Sequence, residues 1–219
     1  MRRTRMRLPT APVLAACVLL LAACGTSTND SGSVAPTTSP LVTPGVAPPV
    51  TVVPPAQGPV TGIGTVIEKP GSPPELCLGP VRESWPPQCE GIALSGWDWA
   101  ANPPDGQSEA GGPMTRWGVY AVDGTFDGVS LTVTRAVSLA LYDAMAEPSP
   151  APVGPPDLSA AEWDAVDAAV RAVPGLITVE RVDEAGPVFV TVVHDDGAIQ
   201  RWADASFGAG AVVITSALR

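Results

Sequence analysis

The chain has 219 residues, of which 45% are apolar, 5% aromatic and 16% charged, so it has room for one or two small domains and not for a large enzyme core. Its formal net charge is −10, and residues 24–219 alone carry eight basic against 22 acidic side chains, a net charge of −14. A surface this acidic repels phosphate backbones and anionic lipid headgroups. We therefore do not expect nucleic acid as a partner, and any attachment to a membrane must have a source other than electrostatic attraction.

An export signal is predicted at the start of the chain. Four arginines in the first seven positions precede an apolar stretch at 11–23, which is the layout of a secretory leader. A helix over this stretch covers about 20 Å, whereas the hydrocarbon core of a bilayer is about 30 Å thick. The stretch is therefore too short to span a membrane, and we expect residues 1–23 to be a signal peptide.

The end of this leader carries a lipidation motif. Leu21, Ala22, Ala23, Cys24 and Gly25 together resemble the lipobox of bacterial lipoproteins. The resemblance implies cleavage before Cys24, a diacylglyceryl group on its thiol, and an amino group open to acylation, for example by palmitate. Two or more acyl chains anchor a protein stably where a single chain does not. We therefore expect a lipid anchor on the extracytoplasmic face of the cell membrane and no other cofactor, the alternative being an ordinary secretory leader with an incidental cysteine.

Two proline-rich stretches divide the rest of the chain. Residues 25–60 contain eight Pro and ten Ser or Thr with a single charge, too little apolar surface to offset the entropy of ordering, so 24–60 is predicted to be a disordered tether. At about 3.1 Å per residue it reaches on the order of 110 Å. A second stretch, 148–156, separates region 61–147 from region 157–219. Because both regions are small, we expect them to pack together.

Region 61–147 is predicted to be β-rich. Strand-like runs occur at four places: 63–68, 92–99, 117–122 and 129–134. Asp123 and Gly124 indicate a turn between the last two runs, and Val129, Leu131 and Val133 then alternate on one face. The apolar run 137–145 suits a short helix or a final strand. This spacing predicts a small antiparallel barrel or sandwich, with an OB-like barrel as the preferred form.

Cys77 and Cys89 are the remaining pair of cysteines after the leader and Cys24. An exported protein meets an oxidising milieu, so we expect them to form a disulfide, which on the chain-entropy estimate stabilises the fold by about 3 kcal/mol. The alternative is a metal or redox pair. CxxC spacing is absent and no histidine is near in sequence, which disfavours it.

Three tryptophans lie in or just after this cysteine loop. Trp85 is inside it, and Trp97 and Trp99 follow. On a strand, Trp97 and Trp99 would share one face, where two rings can stack on a sugar or hold a partner's side chain. Burial in the core is the commoner fate of such residues, and Trp85 is the better candidate for exposure.

The same stretch resembles a group of actinobacterial lipoproteins of unassigned function. The resemblance begins with Leu76, Pro86, Pro87, Gln88, Cys89, Gly96, Trp97, Asp98, Trp99, Trp117, Gly118 and Tyr120. It continues with Asp196, Gly197, Trp202, Phe207, Gly208, Ser216, Ala217, Leu218 and Arg219. It implies an envelope location and supplies no catalytic residue.

Region 157–219 is predicted to open with a helix. Ser159 and Glu162 form a capping box, in which the hydroxyl and the carboxylate each satisfy a free backbone donor. Helical spacing relates the apolar residues Trp163, Val166, Val170 and Val173. Pro174 and Gly175 then end the helix.

The remainder of this region predicts three strands and a second helix. The strands, of which the first two form a hairpin, are 176–182, 188–193 and 212–215. Asp195, Asp196 and Gly197 mark a turn before the helix, and Gly208 ends it. The apolar face of this helix is Ile199, Trp202, Ala203 and Phe207. The order implies an α+β layer with both helices on one face of the sheet.

Candidate catalytic residues are few. His194 is the only histidine, which excludes a multi-histidine metal site. A Ser-His-Asp set on His194 lacks a GxSxG motif, so we interpret it as a surface histidine in a turn. A hydrolase with paired carboxylates and weak calcium binding at 123–127 or at Asp195 and Asp196 are further alternatives, although solvation explains the scattered acids. We expect no catalytic residue and no metal.

The leading hypothesis is a lipid-anchored cell-envelope protein with a non-enzymatic role in protein interaction or envelope organisation. The alternative is a carbohydrate or cell-wall binding module that uses Trp85, with Trp97 or Trp99. A carboxylate-dependent hydrolase is the third class. Exposure of the tryptophans separates the first two hypotheses, because buried rings cannot stack on a glycan.

Overall fold

A computed structural model describes the chain at residues 47–109, 114–143, 154, 156–181, 183 and 186–219. The expected signal peptide, Cys24, most of the expected tether and most of the 148–156 linker lie outside these residues. None of the described helices is both long and apolar enough to cross a membrane.

The first sheet has six strands. They are β1 Pro59–Glu68, β2 Glu75–Cys77, β3 Ile92–Ser95, β4 Gly106–Ser108, β5 Thr115–Phe126 and β6 Ser130–Ser138. The strand order is β1-β2-β3-β6-β5-β4, and β1 also pairs with β5 along its whole length. Five strands thus form a closed circuit of pairings. The ladder between β3 and β6 is parallel, whereas the sequence predicted antiparallel pairing throughout.

The interior of this circuit is filled by alternate residues of the strands, as the period of two requires. The buried residues of this first core are Val60, Val66, Leu76, Leu94, Tyr120, Val122, Phe126, Leu131 and Leu218. Gly62 lies on the inner side of β1, and a Cβ there would be 2.7 Å from Cδ2 of Leu218. Residue 62 is therefore small enough to admit the Leu218 side chain.

Two expectations for the first region are wrong. The predicted strand 92–99 ends at Ser95, because the next residue, Gly96, has a left-handed φ of 79°. Asp98 then accepts a hydrogen bond from the backbone N–H of Ala100 (2.8 Å). The predicted turn at Asp123 and Gly124 is a register shift inside β5, which continues to Phe126.

The turn between β5 and β6 is made by Asp127 instead. Its carboxylate accepts hydrogen bonds from the backbone N–H groups of Ser130 (2.7 Å) and Val129 (2.8 Å). Those two bonds, Ser130 first, lower the pKa of Asp127. Val129 consequently belongs to the turn, where it is exposed, and does not share the inner face of Leu131. In the run 137–145, whose last two residues lie outside the described ones, β6 extends to Ser138 and a 3₁₀ turn follows at Leu139–Leu141.

The second sheet and its helices follow the predicted order. The elements are α1 Ala160–Val170, β7 Leu176–Arg181, β8 Val188–Val192, α2 Ala198–Phe207 and β9 Val212–Ser216. The strand order is β7-β8-β9, with β7 and β8 antiparallel and β8 and β9 parallel. The described residues form two α-helices and two sheets, so the fold is α+β, as predicted.

The capping box at the start of α1 is confirmed. The backbone N–H of Ser159 donates to Glu162 (2.7 Å), and that of Glu162 donates to the Ser159 hydroxyl (3.4 Å). The hydrogen bonds from the Ser159 backbone and then from its hydroxyl lower the pKa of Glu162. The buried faces of both helices pack with β8 in a second core: Leu158, Trp163, Val166, Val170, Val173, Val188, Val190, Val192, Ile199, Trp202, Ala203, Phe207, Ala211 and Val212.

The segment after β9 joins the two sheets. Thr61 of β1 and Arg219 exchange backbone hydrogen bonds of 2.6 and 3.1 Å. Leu218, beside them, is fully buried in the first core although it follows the last strand of the second sheet. The first sheet is therefore completed by residues adjacent to the second.

The described end of the expected tether also contacts the folded part. Val50 packs against the second core, while Val53 and Ala56 pack against the first. The backbone N–H of Ala56 donates to the carbonyl of Phe126 (3.0 Å), and β1 begins at Pro59. The apolar residues at this end of the expected tether therefore have cores to pack against.

Candidate functional site

The disulfide prediction is confirmed, and the loop that it closes is ordered. Cys77 and Cys89 are bonded with their Cα atoms 6.1 Å apart, within the usual range for a disulfide. Inside the loop Arg82 and Gln88 form an isolated antiparallel bridge, in which the Arg82 N–H donates to the Gln88 carbonyl (2.9 Å). We call residues 77–89 the stapled loop.

Trp85 is the exposed tryptophan of the three candidates. It lies at the tip of the stapled loop with 71% of its surface accessible. One edge contacts Trp117 of β5 in a T-shaped arrangement, with the ring centroids 4.8 Å apart. Trp117 in turn faces Ile67 of β1, which is buried. Trp85 is thus held on one side and leaves most of its indole open to solvent.

Trp97 and Trp99 are brought together by Tyr120 and not by a strand. Both rings are half-buried and contact each other at 5.3 Å between centroids; Trp97 contacts Tyr120 at 4.9 Å and Trp99 at 6.5 Å. The Tyr120 hydroxyl donates to the carbonyl of Pro103. Burial, and then the charge of Asp105, raise the pKa of Tyr120. Trp97 and Trp99 pack against the first core, so they are poor candidates for stacking on a ligand.

A cleft of about 700 Å³ lies between the two sheets. We call it the intersheet cleft. Its apolar lining includes Leu78, Ile92, Leu176, Ile177 and Val193. All five are half-buried; three of them adjoin the first core and Leu176 adjoins the second. The stapled loop forms one wall of the cleft, and the start of β7 forms another.

A β-bulge in β7 and a glycine in the stapled loop shape the two walls of the intersheet cleft. Ile177 is the extra residue of a β-bulge, where β7 advances from Leu176 to Thr178 against consecutive residues of β8, and a bulge redirects a side chain. A Cβ at Gly79 would lie 2.6 Å from Cγ2 of Ile177. The loop and the second sheet can therefore approach each other here because residue 79 is glycine.

The mouth of the cleft carries charged and polar groups. Lys69 donates to the carbonyl of Cys89 (3.2 Å) and lies 3.5 Å from the Glu75 carboxylate. Arg82, Gln88 and Glu90 also line the mouth and are exposed. Among the ion pairs of the described residues none involves Arg82, so its guanidinium is available to a ligand.

His194 lies in the segment between β8 and α2, near the junction of the sheets, and is less exposed than the prediction of a surface histidine implies. It is half-buried, its Nδ1 is 3.3 Å from the carbonyl oxygen of Leu218, and its ring contacts Phe126 at 6.2 Å between centroids. These contacts give it a structural position beside the segment that completes the first core.

The candidate calcium ligands make structural hydrogen bonds. Burial alone would raise the pKa of Asp123, but bonds from Thr61 (2.7 Å) and Arg135 (2.8 Å), with the charge of Arg135, lower it overall. Asp195 accepts from the backbone N–H groups of Ile199 and Gln200 at the start of α2. In the part of the chain that the structure describes, no three or more His, Cys, Asp or Glu residues are grouped for a metal.

The intersheet cleft is the feature that sequence reasoning missed. Its lining comes from three separated stretches of chain, and no local pattern relates Leu78 to Ile177 or Val193. Two signals were available: glycines at 79, 91 and 175, and the only lysine at position 69. Neither identifies a site without the fold.

No protein-family model matches the chain, and neither curated proteins nor solved structures contain a significant match.

Proposed function

We propose that this chain is a lipid-anchored cell-envelope protein whose folded part binds an envelope protein without catalysing a reaction. The observation that carries the proposal is the exposure of Trp85 on a disulfide-closed, ordered loop. Tryptophan is enriched among the residues that dominate binding energy at interfaces. A fixed ring also loses little conformational entropy on binding, which favours affinity.

The anchor in this proposal rests on the sequence. The arginine-rich start, the short apolar stretch and the lipobox-like residues around Cys24 support lipidation on the extracytoplasmic face. The net charge of −14 for residues 24–219 provides no electrostatic attraction to anionic lipids, so a covalent lipid is the means of attachment that these residues support.

For the first sheet we propose an OB-like barrel as the finer description. The support is the closed circuit of five strands, β1-β2-β3-β6-β5 and back to β1, with a single parallel ladder. An OB-fold is a five-stranded, partly open Greek-key barrel. β4 is then an addition outside the circuit, paired with β5 alone.

A second candidate function is binding of cell-wall glycan at Trp85. An open indole face is a platform on which a sugar ring can stack, and Trp85 has one. The half-buried positions of Trp97 and Trp99 limit such a platform to a single ring, which favours a protein partner over a glycan.

Photo-cross-linking in the native envelope tests the proposal. A cross-linker placed in the stapled loop should capture one defined envelope protein, and Trp85→Ala should abolish that capture. Val129→Ala is the matched control, because Val129 is 78% exposed in a turn outside the loop. Binding to purified cell-wall glycan that is lost with Trp85→Ala would select the second candidate, and capture unaffected by Trp85→Ala would refute the role of this surface.

Labelling with a palmitate analogue tests the anchor independently. The wild-type chain should be labelled, and the Cys24→Ala variant should not. Equal labelling of the two, or release of the wild-type protein in soluble form after fractionation, would contradict lipid attachment at Cys24.

A further inference from the structure

The intersheet cleft has the dimensions and lining of a small-molecule site. Ligand pockets measure about 300–1,000 Å³ and combine apolar walls with a few placed polar groups, and this cleft has about 700 Å³. Five apolar side chains remain half-buried along it. Water in contact with them is released when an apolar body enters, which favours binding.

Contacts within the protein hold the walls of the cleft in place. The disulfide of Cys89 holds the stapled loop, and the bulge at Ile177 holds the opposite wall against Gly79. A preformed site loses less entropy on binding than one that must be ordered. The cleft is therefore suited to a small molecule and needs no large rearrangement.

The charges at the mouth indicate the ligand's polar group. Arg82 is exposed and has no ion-pair partner among the described residues, and Lys69 lies at the same mouth. Glu75 offsets part of the Lys69 charge, and Glu90 adds one carboxylate to the lining. Arg82 is thus the group best able to bind an anion, since guanidinium binds carboxylate or phosphate through two parallel hydrogen bonds.

We propose that the intersheet cleft binds a small amphipathic anion, with its apolar chain along Leu78, Ile92 and Ile177 and its carboxylate or phosphate head at Arg82. This site is separate from the Trp85 surface, and its occupancy does not depend on the protein partner proposed above.

Calorimetric titration with three probes of equal chain length tests the proposal: dodecanoate, dodecyl phosphate and dodecanol, each below its aggregation concentration. The protein is the full chain with Cys24→Ala, which removes the proposed acylation site. At least one anion should bind ten-fold or more tightly than dodecanol, and whichever anion binds more tightly identifies a carboxylate or a phosphate head. Shortening the better anion by one methylene should weaken binding about fourfold.

Two variants and one spectroscopic measurement make the test specific. Arg82→Gln should weaken the anion ten-fold or more and leave dodecanol unchanged, whereas Arg171→Gln, an exposed arginine at the end of α1, should change neither. Methyl resonances of Ile92, Ile177 and Val193 should shift on titration, while those of Val166 in the second core should not.

Three results would overturn the proposal. They are the absence of binding by both anions, equal affinity for anion and alcohol that Arg82→Gln does not change, and methyl shifts confined to residues outside the cleft. Because Arg82 is exposed, its substitution should leave the fold intact, and dodecanol binding by Arg82→Gln that equals the wild type's shows that the variant is folded.

Discussion

The two sheets are built in contrasting ways from one chain. The second core draws all its buried residues from 158–212. The first core draws its own from 60–131 and then requires Leu218, while its first strand bonds to Arg219. Helices with caps and short hairpins are dictated by neighbouring residues, whereas a closed circuit of strands needs contacts between residues far apart in sequence. The second sheet can therefore be predicted from local sequence patterns, whereas the closure of the first sheet cannot.

Removal of the Leu218 side chain should change the free energy of unfolding more than any of the other substitutions below. Leu218→Ala deletes a fully buried side chain and should destabilise the protein by about 2–5 kcal/mol, through lost burial and a cavity in the first core. Urea denaturation measures the loss, and amide exchange should accelerate more in β1 than in α1. Leu141→Ala, at an exposed position, should change stability by no more than about 0.5 kcal/mol. Equal effects of the two substitutions would show that the first core does not depend on Leu218.

Removal of the disulfide should come next. Replacing both Cys77 and Cys89 by Ala frees a loop with a sequence separation of 12 and should lower the free energy of unfolding by about 3 kcal/mol. A reducing agent should lower the wild-type denaturation midpoint to that of the variant and leave the variant unchanged. A reductant-insensitive wild type would show that the stapled loop is held by other contacts.

Addition of a methyl group on the inner side of β1 should lower the free energy of unfolding somewhat less than loss of the disulfide does. A Cβ at residue 62 would meet the ends of Leu218, Leu76 and Leu78 at 2.7, 2.9 and 3.0 Å, so Gly62→Ala should destabilise by about 1–3 kcal/mol. In the double variant with Leu218→Ala the clash is partly relieved. The double variant should therefore be destabilised by at least about 0.5 kcal/mol less than the sum of the two single variants. A destabilisation equal to that sum would show that residues 62 and 218 do not compete for the same space.

Removal of a helix cap should weaken the second sheet by a smaller amount. Ser159→Ala loses the hydroxyl that accepts from the Glu162 N–H and should cost about 1 kcal/mol. Ser95→Ala, at an exposed end of β3, serves as the control. A loss no larger than the control's would show that packing of α1, and not its cap, determines its stability.

The smallest expected effect concerns pH and the turn between β5 and β6. Hydrogen bonds from the Ser130 and Val129 backbone lower the pKa of Asp127 below its usual 3.8, so its carboxylate stabilises the folded state fully above that value. This contribution is lost as the pH falls through the lowered pKa of the folded state. The stability difference between wild type and Asp127→Asn should therefore shrink from pH 6 to pH 3. If the stability difference instead grew on acidification, the pKa of Asp127 would be raised in the folded state and not lowered.

The sequence predicted what neighbouring residues determine. The capping box of Ser159 and Glu162, the apolar face of α2 and the β7–β8 hairpin are local patterns, and the structure has them where they were expected. The exposure of Trp85 followed from its place among prolines in a short cysteine loop.

Non-local contacts account for what the sequence did not predict. Asp123 and Gly124 have turn chemistry, yet pairing of β5 with β1 and β6 carries the strand through them. Trp97 and Trp99 alternate like strand residues, yet the chain leaves the strand at Gly96 and both rings pack against Tyr120. The intersheet cleft depends on how two sheets meet, which no window of sequence contains.

The exchange of backbone bonds between Thr61 and Arg219 has a consequence for biosynthesis. A strand made early in translation obtains these bonds, and the packing of Leu218 beside Gly62, only after β9 of the second sheet has been made. Closure of the first core is thus a late event. The first core therefore closes only after every strand of the second sheet has been synthesised, although its own strands come first in the chain.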